Sequence, residues 1–337
     1  MSLLFRRSWA ARPAVGFVIA ALALLVAACS SSDDPTATST ATAEPTTAAT
    51  EAATAEPTAE PTATPVPPVV VTDSDGVELE FAAPPSRIVS FSPGATEILF
   101  AIGAGEQVIA ADQFSDFPAA TADLEKVSYS EPDPERSLGL DPDLIIMATR
   151  QQESVEQFRG LDLVVLFNRE PESIEGVLEN IALLGRVTGH EAEATALIAD
   201  MQARLDVVTK AIESVETGPR VFYELSDGLY TAAPDTFIGG TLSLLKAQNV
   251  AEGAESAFPQ LTAEALIDAN PEVILMADAE FGGDPETVAA RPGWDAIDAV
   301  INNRLYPVNP DIGNRPGPRI VEAVEAIALL LYPELFE

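Results

Sequence analysis

The sequence predicts an α/β protein built from two similar halves, and three observations carry that prediction. Short apolar segments alternate with helical patterns along most of the chain, the signature of parallel βαβ units. A stretch of about 25 positions, Glu191 to Val215, keeps helical patterning without Gly or Pro and separates the halves. A sequence signature also recurs after 129 residues: Glu135 precedes Pro142 by seven positions, and Glu264 precedes Pro271 by seven. A chain of 337 residues is long enough for two domains with real cores.

The front of the chain is of another kind. Arg6, Arg7 and Arg12 precede an apolar stretch, Ala14 to Ala28, that is too short for the ~20 residues of a membrane span and reads as an export signal, residues 1–28. It ends Val26-Ala27-Ala28-Cys29, similar to the lipobox of bacterial lipoproteins. Cys29 is the chain's one cysteine and is assigned as the lipidation site rather than a catalyst. Ser30 to Pro68 is low-complexity Thr, Ala, Pro and Glu, with Ala-Glu-Pro-Thr at 43–46, 55–58 and 59–62. It offers too little apolar surface to offset its chain entropy. Residues 29–68 therefore read as a lipidated cysteine and a disordered tether, able to reach on the order of 100 Å in polyproline conformers. Its threonines also permit O-glycosylation.

The folded body begins at Val69. Val69 to Thr72 and Val77 to Phe81 flank Asp73-Ser74-Asp75-Gly76, a hairpin signal; Asp-x-Asp-Gly lacks the remaining ligands of a calcium loop and reads as a turn. Arg87 to Phe91 is a strand, followed by a helix, Ala95 to Ile102, with Ser92 as N-cap, Pro93 at its start and Gly103 after its end. Strands at Val108–Ala111 and Leu144–Ala148, a helix near Glu153–Phe158, a strand at Leu161–Leu166 and an amphipathic helix at Glu172–Leu184 complete an N-terminal lobe, 69–189. The linking helix, 190–217, forms a rod of roughly 37 Å, with His190 an exposed residue at its start. The C-terminal lobe, 218–337, repeats the pattern: strand Arg220–Leu225, helices Phe237–Ala247 and Ala263–Ala269, strands Val273–Ala277 and Arg304–Val308, helix Pro318–Leu331. The 129-residue shift also maps Tyr129 onto Phe258, each six residues before its glutamate. An aromatic loop residue and an acidic helix start thus recur together, as paired contacts across a cleft require.

Composition excludes several functions. With 18 basic against 53 acidic residues and a formal charge of −35, the chain presents no basic surface for nucleic acid. One histidine rules out a His-rich metal cage. No Gly-x-Ser-x-Gly, P-loop, His-Glu-x-x-His or Cys-x-x-Cys is present, and Gly103-Ala104-Gly105 lacks the third glycine and the strand-to-helix context of a dinucleotide loop. Carboxylate pairs are too abundant in so acidic a chain for an acid–base pair to be excluded by counting. Residues 1–28 carry three arginines and no acid, and residues 29–68 six acids and no base, so the folded body holds −32.

Four segments carry a resemblance: Arg87-Ile-Val-Ser-Phe-Ser-Pro-Gly-Ala-Thr-Glu-Ile-Leu-Phe-Ala-Ile-Gly, Phe114-Ser-Asp-Phe-Pro, the Glu135-to-Asp143 stretch and Arg315-Pro-Gly-Pro-Arg319. Together they resemble the periplasmic binding proteins that serve cobalamin and ferric-siderophore ABC importers, over essentially the whole folded body. The resemblance implies two Rossmann-like α/β lobes with parallel-rich sheets, one long connecting helix and a ligand cleft between the lobes. It implies that Glu135 and Glu264 dock on arginines of a two-fold symmetric permease, the ATPase subunits lying beyond it. It implies a cleft formed by Phe114, Tyr129, Tyr230, Phe258, Asp311 and Arg315, departing from the cobalamin-binding pattern where Tyr129 and Phe258 replace a frequent tryptophan. Arg150 and Arg169 are candidates for the same mouth and would suit an anionic ferric chelate; Tyr129 or Tyr230 would have to serve as ligand to haem iron. The expectation is a monomeric, non-enzymatic binding lipoprotein with no cofactor or metal of its own. It sits on the outer face of the cell membrane and carries a corrinoid first, a ferric siderophore or haem second. The rival from another class is an extracytoplasmic lipoprotein hydrolase on the same tether.

Overall fold

The computed structural model describes residues 68–279 and 283–336. The export signal, Cys29 and nearly all of the tether lie outside them. The described chain opens with an antiparallel hairpin, β1 (Val69–Thr72) and β2 (Glu78–Phe81). Its turn is held by Asp73, whose Oδ1 accepts from the Asp75 and Val77 amides at 2.9 Å, while Oδ2 pairs with Arg159. That carboxylate is committed to the turn and the ion pair.

The N-terminal lobe follows as β3 (Ile88–Ser90), α1 (Pro93–Ala101), β4 (Val108–Asp112), β5 (Glu125–Val127), α2 (Pro134–Gly139), β6 (Leu144–Met147), α3 (Val155–Arg159), β7 (Val165–Phe167) and α4 (Ile174–Thr188). Its strands form a parallel sheet in the order β5-β4-β3-β6-β7. After α5 (Glu191–Ala211) come β8 (Arg220–Glu224), α6 (Phe237–Leu244), β9 (Gln248–Asn249), α7 (Ala263–Ala269), β10 (Val273–Met276), α8 (Pro285–Ala289), α9 (Asp298–Ile301), β11 (Leu305–Pro307), α10 (Pro310–Gly313) and α11 (Ile320–Leu331). This second sheet is also parallel, in the order β11-β10-β8-β9.

Both sheets are wound alike. The chain starts at a central strand, adds on one side, then returns to the other side of that first strand. The winding therefore reverses between β3 and β6 in one lobe and between β8 and β10 in the other. At such reversals a crevice opens beyond the carboxyl ends of the strands.

The near-continuous apolar runs of the central strands follow from burial on both faces. Along β6, Leu144 and Ile146 face one cluster while Ile145 and Met147 face another with Phe91, Phe158 and Phe167. Along β10, Val273 and Leu275 face the first cluster, and Ile274 and Met276 pack with Phe222 and Trp294. The first cluster continues from lobe to lobe through α4, α5 and α11, taking in Leu184, Met201 and Val324. At Gly185 the approach of α4 to α5 leaves no room for a side chain: a Cβ there would lie 2.5 Å from that of Ala194.

The sequence repeat proves to be a repeat of contacts. In the first lobe Arg87 donates from its backbone to Asp143 Oδ1 at 2.9 Å and from Nε to the Asp141 carbonyl at 2.7 Å. In the second, Arg220 donates from its backbone to Glu272 Oε2 at 3.0 Å and from Nε to the Asn270 carbonyl at 3.0 Å. Asp141 and Asn270, 129 residues apart, both adopt left-handed backbone, at φ 51° and 47°. The arginine that opens each central strand thereby closes the end of the helix bearing the repeated glutamate.

Three predicted elements depart most from the sequence pattern. The linking helix ends at Ala211, about 31 Å long, because Lys246 Nζ takes the carbonyls of Ile212, Glu213 and Val215 at 2.7–3.0 Å. The strand expected at Leu161–Leu166 is confined to Val165–Phe167, since Leu161 and Asp162 turn the chain out of α3, Asp162 at φ 59°. The helix expected from Phe237 to Ala247 stops at Leu244, with Lys246 left-handed at φ 57°. His190 is half-buried against Gly103, its Nε2 3.5 Å from Gln107 Nε2. Among the described residues no helix is long and apolar enough to cross a membrane.

Candidate functional site

The loops that leave the carboxyl ends of both sheets enclose a pocket of about 570 Å³, within the usual range for small-molecule sites. Tyr129 and Phe258 line it from opposite lobes.

Tyr129 stands on the loop after β5 and is fixed on both sides. Its amide donates to Gln113 Oε1 at 2.8 Å, and its carbonyl accepts from Gln151 Nε2 at 2.8 Å. Gln151, buried in the helical turn that follows β6, accepts at Oε1 from the Ala148 amide at 3.0 Å. Phe114 meets the Tyr129 ring edge-on, centroids 5.5 Å apart, a geometry favoured by ring quadrupoles. The Phe114 loop is anchored from beneath, where Asp112 accepts from the Phe114 amide at 2.8 Å and from Ser115 Oγ at 2.5 Å.

In the other lobe, Thr231 and Ala233 donate to the carbonyls of Pro259 and Ala257, which presents Phe258 at the pocket. Tyr230 bridges to Ser226 and Gln260 on the same loop but does not line the pocket. Phe114 and Phe258 keep 50% and 53% of their surface in solvent. Phe258 lines the pocket, whereas Phe114 does not and adjoins it only through the Tyr129 ring.

Asp311 and Arg315 sit elsewhere. Arg315 reaches Asp311 Oδ1 at 2.6 Å and, across the lobe boundary, Asp116 Oδ1 at 2.7 Å. Next to it Arg319 grips the buried Glu97 with two hydrogen bonds, 2.6 and 3.0 Å, and its guanidinium lies 4.0 Å from the Phe117 ring. A Cβ on Gly94 would stand 2.7 Å from the Pro316 carbonyl. The Ser-Pro-Gly-Ala and Arg-Pro-Gly-Pro-Arg motifs thus meet as the seam between the lobes. Asn314 and Pro316, beside Arg315, line the pocket where that seam reaches it.

Arg169 lines the pocket; Arg150 does not, although it lies near enough for its charge to act on Tyr129. The sequence reading missed three carboxylates on the lining: Glu170 and Glu172 in the first lobe, Asp235 in the second. Burial pushes the Glu170 carboxyl up. Burial also pushes the Tyr129 phenol up to about 12, with the Glu170 and Asp112 charges adding to it.

Glu135 and Glu264 occupy the second position of α2 and α7, behind the N-caps Asp133 and Thr262. Both are exposed. Their place near the positive end of a helix dipole suits a carboxylate. Among the described residues no cluster of His, Cys, Asp and Glu could hold a metal ion.

Comparison with known proteins agrees with this architecture. Residues 88–312 match the model of the family described as periplasmic binding protein. The chain is 30% identical over 278 residues to an ABC transporter substrate-binding lipoprotein of Bacillus subtilis, YvrC, covering 80% of this chain and 87% of that one. It is 31% identical over 271 residues to a cobalamin-binding protein of Halobacterium salinarum, covering 77% and 73%. The crystal structure of the vitamin B12-binding protein BtuF of Vibrio cholerae superposes with a TM-score of 0.66 at 26% identity, over 74% of this chain and 98% of that one. Haem-binding and possible iron-binding proteins share the fold as well. Two parallel α/β lobes around a loop-lined cleft, with these relatives, make this chain a member of the periplasmic binding protein family, the extracytoplasmic substrate-binding components of ABC importers.

Proposed function

We propose that this protein captures a cobalamin-type corrinoid between its lobes and hands it to an importer permease. The observation that carries the reading is the pairing of Tyr129 and Phe258, related by the sequence repeat and lining one pocket from opposite lobes. Two aromatic walls suit a flat macrocycle, and the polar groups between them suit the amides around its rim. Haem would need an iron ligand, a role that on this lining would fall to the Tyr129 phenol. A ferric siderophore would rely on Arg169, which lines the pocket together with Glu170, Glu172 and Asp235.

The pseudo-two-fold arrangement supports the docking part of the reading. Glu135 and Glu264 dock on a symmetric permease dimer through charge-assisted pairs that fix orientation. The protein acts by binding and release as a monomer, while ATP hydrolysis belongs to the partner subunits. Cys29 carries the lipid that holds it at the outer face of the cell membrane, with residues 29–68 as the tether. Equilibrium titration with cyanocobalamin, haem, a ferric catecholate and a ferric hydroxamate tests the ligand. Cyanocobalamin should bind most tightly, and a preference for any of the others would overturn the reading.

A further inference from the structure

The lining of the cleft is lopsided in charge. Glu170 and Glu172 face it from the N-terminal lobe and Asp235 from the C-terminal lobe, against the guanidinium of Arg169. Two negative charges are therefore left over on this lining. Arg169 itself is exposed and lies 5.6 Å from the Phe167 ring. Glu170 is half-buried, and no ion pair among the described residues includes it. Its loop is pinned by a hydrogen bond from the Glu170 amide to Thr149 Oγ1, 3.0 Å. That bond fixes the backbone from which the Glu170 side chain reaches the pocket.

A carboxylate has only acceptor oxygens to offer. It rewards a ligand that brings N–H donors and repels one that brings carboxylate or catecholate oxygens, more strongly where water is partly excluded. We propose that Glu170, Glu172 and Asp235 determine specificity, admitting chelates whose rim carries neutral amides and rejecting chelates whose rim carries anionic groups. The inference rests on the corrinoid reading and sharpens it, because a corrin ring can carry either amides or carboxylates on one scaffold. The acidic exterior works in the same direction, slowing the approach of anions before they reach the pocket.

The test compares cyanocobalamin with the tricarboxylate made by hydrolysing three of its peripheral amides. Both are titrated against wild type, against Asp235→Asn, and against Glu170→Gln with Glu172→Gln and Asp235→Asn combined. Wild type should bind the tricarboxylate about tenfold or more weakly than the amide form. The triple variant should bring the two within about threefold, and Asp235→Asn alone, on an exposed loop, should move the ratio part of the way. Equal binding of both forms by wild type, or an unchanged ratio in the folded triple variant, overturns the inference and leaves the corrinoid reading standing. Binding of a ferric tris-catecholate with no binding of either corrinoid overturns both.

Discussion

Tyr129 owes its position to two glutamines rather than to its own neighbours in sequence. Gln113 and Gln151 hold its amide and carbonyl, and Gln151 does so from a fully buried site. Gln151→Ala should therefore cost about 1–3 kcal/mol of stability, because it strands the Ala148 amide and the Tyr129 carbonyl. Chemical denaturation measures that loss, and ligand affinity should fall with it as Tyr129 loosens. Glu170 is the opposite case, a group whose surroundings oppose its charge. Burial raises its native pKa, so its contribution to stability is fully present below the unfolded value of about 4.3 and is lost as pH rises through the raised value. Glu170→Gln should thus raise the melting temperature at pH 7 and leave it nearly unchanged at pH 4. An equal gain at both would contradict that origin.

At the scale of elements, the two lobes are one helix–strand design used twice. The glutamate repeat and the α/β alternation were legible in sequence because they are local: Glu135 and Glu264, the N-caps and the apolar strands announce themselves within ten residues. Arg87 and Arg220 were not legible as a pair, since each closes a helix end about 50 residues away. Lys246 was equally hidden, for it ends α5 from 31 to 34 positions downstream. Glu170, Glu172 and Asp235 look like any of 53 acids until the fold gathers them. Tyr129 and Phe258 escaped that anonymity because the repeat marked them. The close approach of α4 and α5 predicts that Gly185→Val costs about 1–3 kcal/mol by overpacking against Ala194. At the end of β8, Glu224 is fully buried and its carboxyl is pushed up by burial, opposed by Arg291, whose guanidinium lies 2.7 Å away and stacks on Trp294 at 4.6 Å. Arg291→Ala should cost about 3–5 kcal/mol at neutral pH by leaving that carboxylate alone. The loss should shrink as pH falls and Glu224 takes a proton. A pH-independent loss would assign the role of Arg291 to its stacking on Trp294.

For the whole molecule, the seam and the shared helices decide how far the lobes can move. Arg319 on Glu97, Arg315 on Asp116 and Arg204 on Glu325 tie elements that lie far apart in sequence. The Arg315 guanidinium holds the Asp116 carboxyl below its usual range, and Arg204 does the same for Glu325. Depressed native values mean stability present above the unfolded pKa and lost as pH falls through the native one, so these ties should slacken below about pH 4. The charge of −32 on the folded body otherwise reads as a solvated exterior. Glu135 and Glu264 stand out from it only by the 129-residue repeat, on which the proposed docking to a two-fold partner rests. Glu135→Ala with Glu264→Ala should impair uptake in cells while leaving ligand affinity unchanged. The central claim is that a corrinoid sits between Tyr129 and Phe258. Calorimetric titration of cyanocobalamin into wild type and into Tyr129→Ala with Phe258→Ala tests it most directly. One site per chain in wild type and an affinity at least about tenfold weaker in the double variant is the predicted result; no binding by wild type, or equal affinity in both proteins, would contradict it.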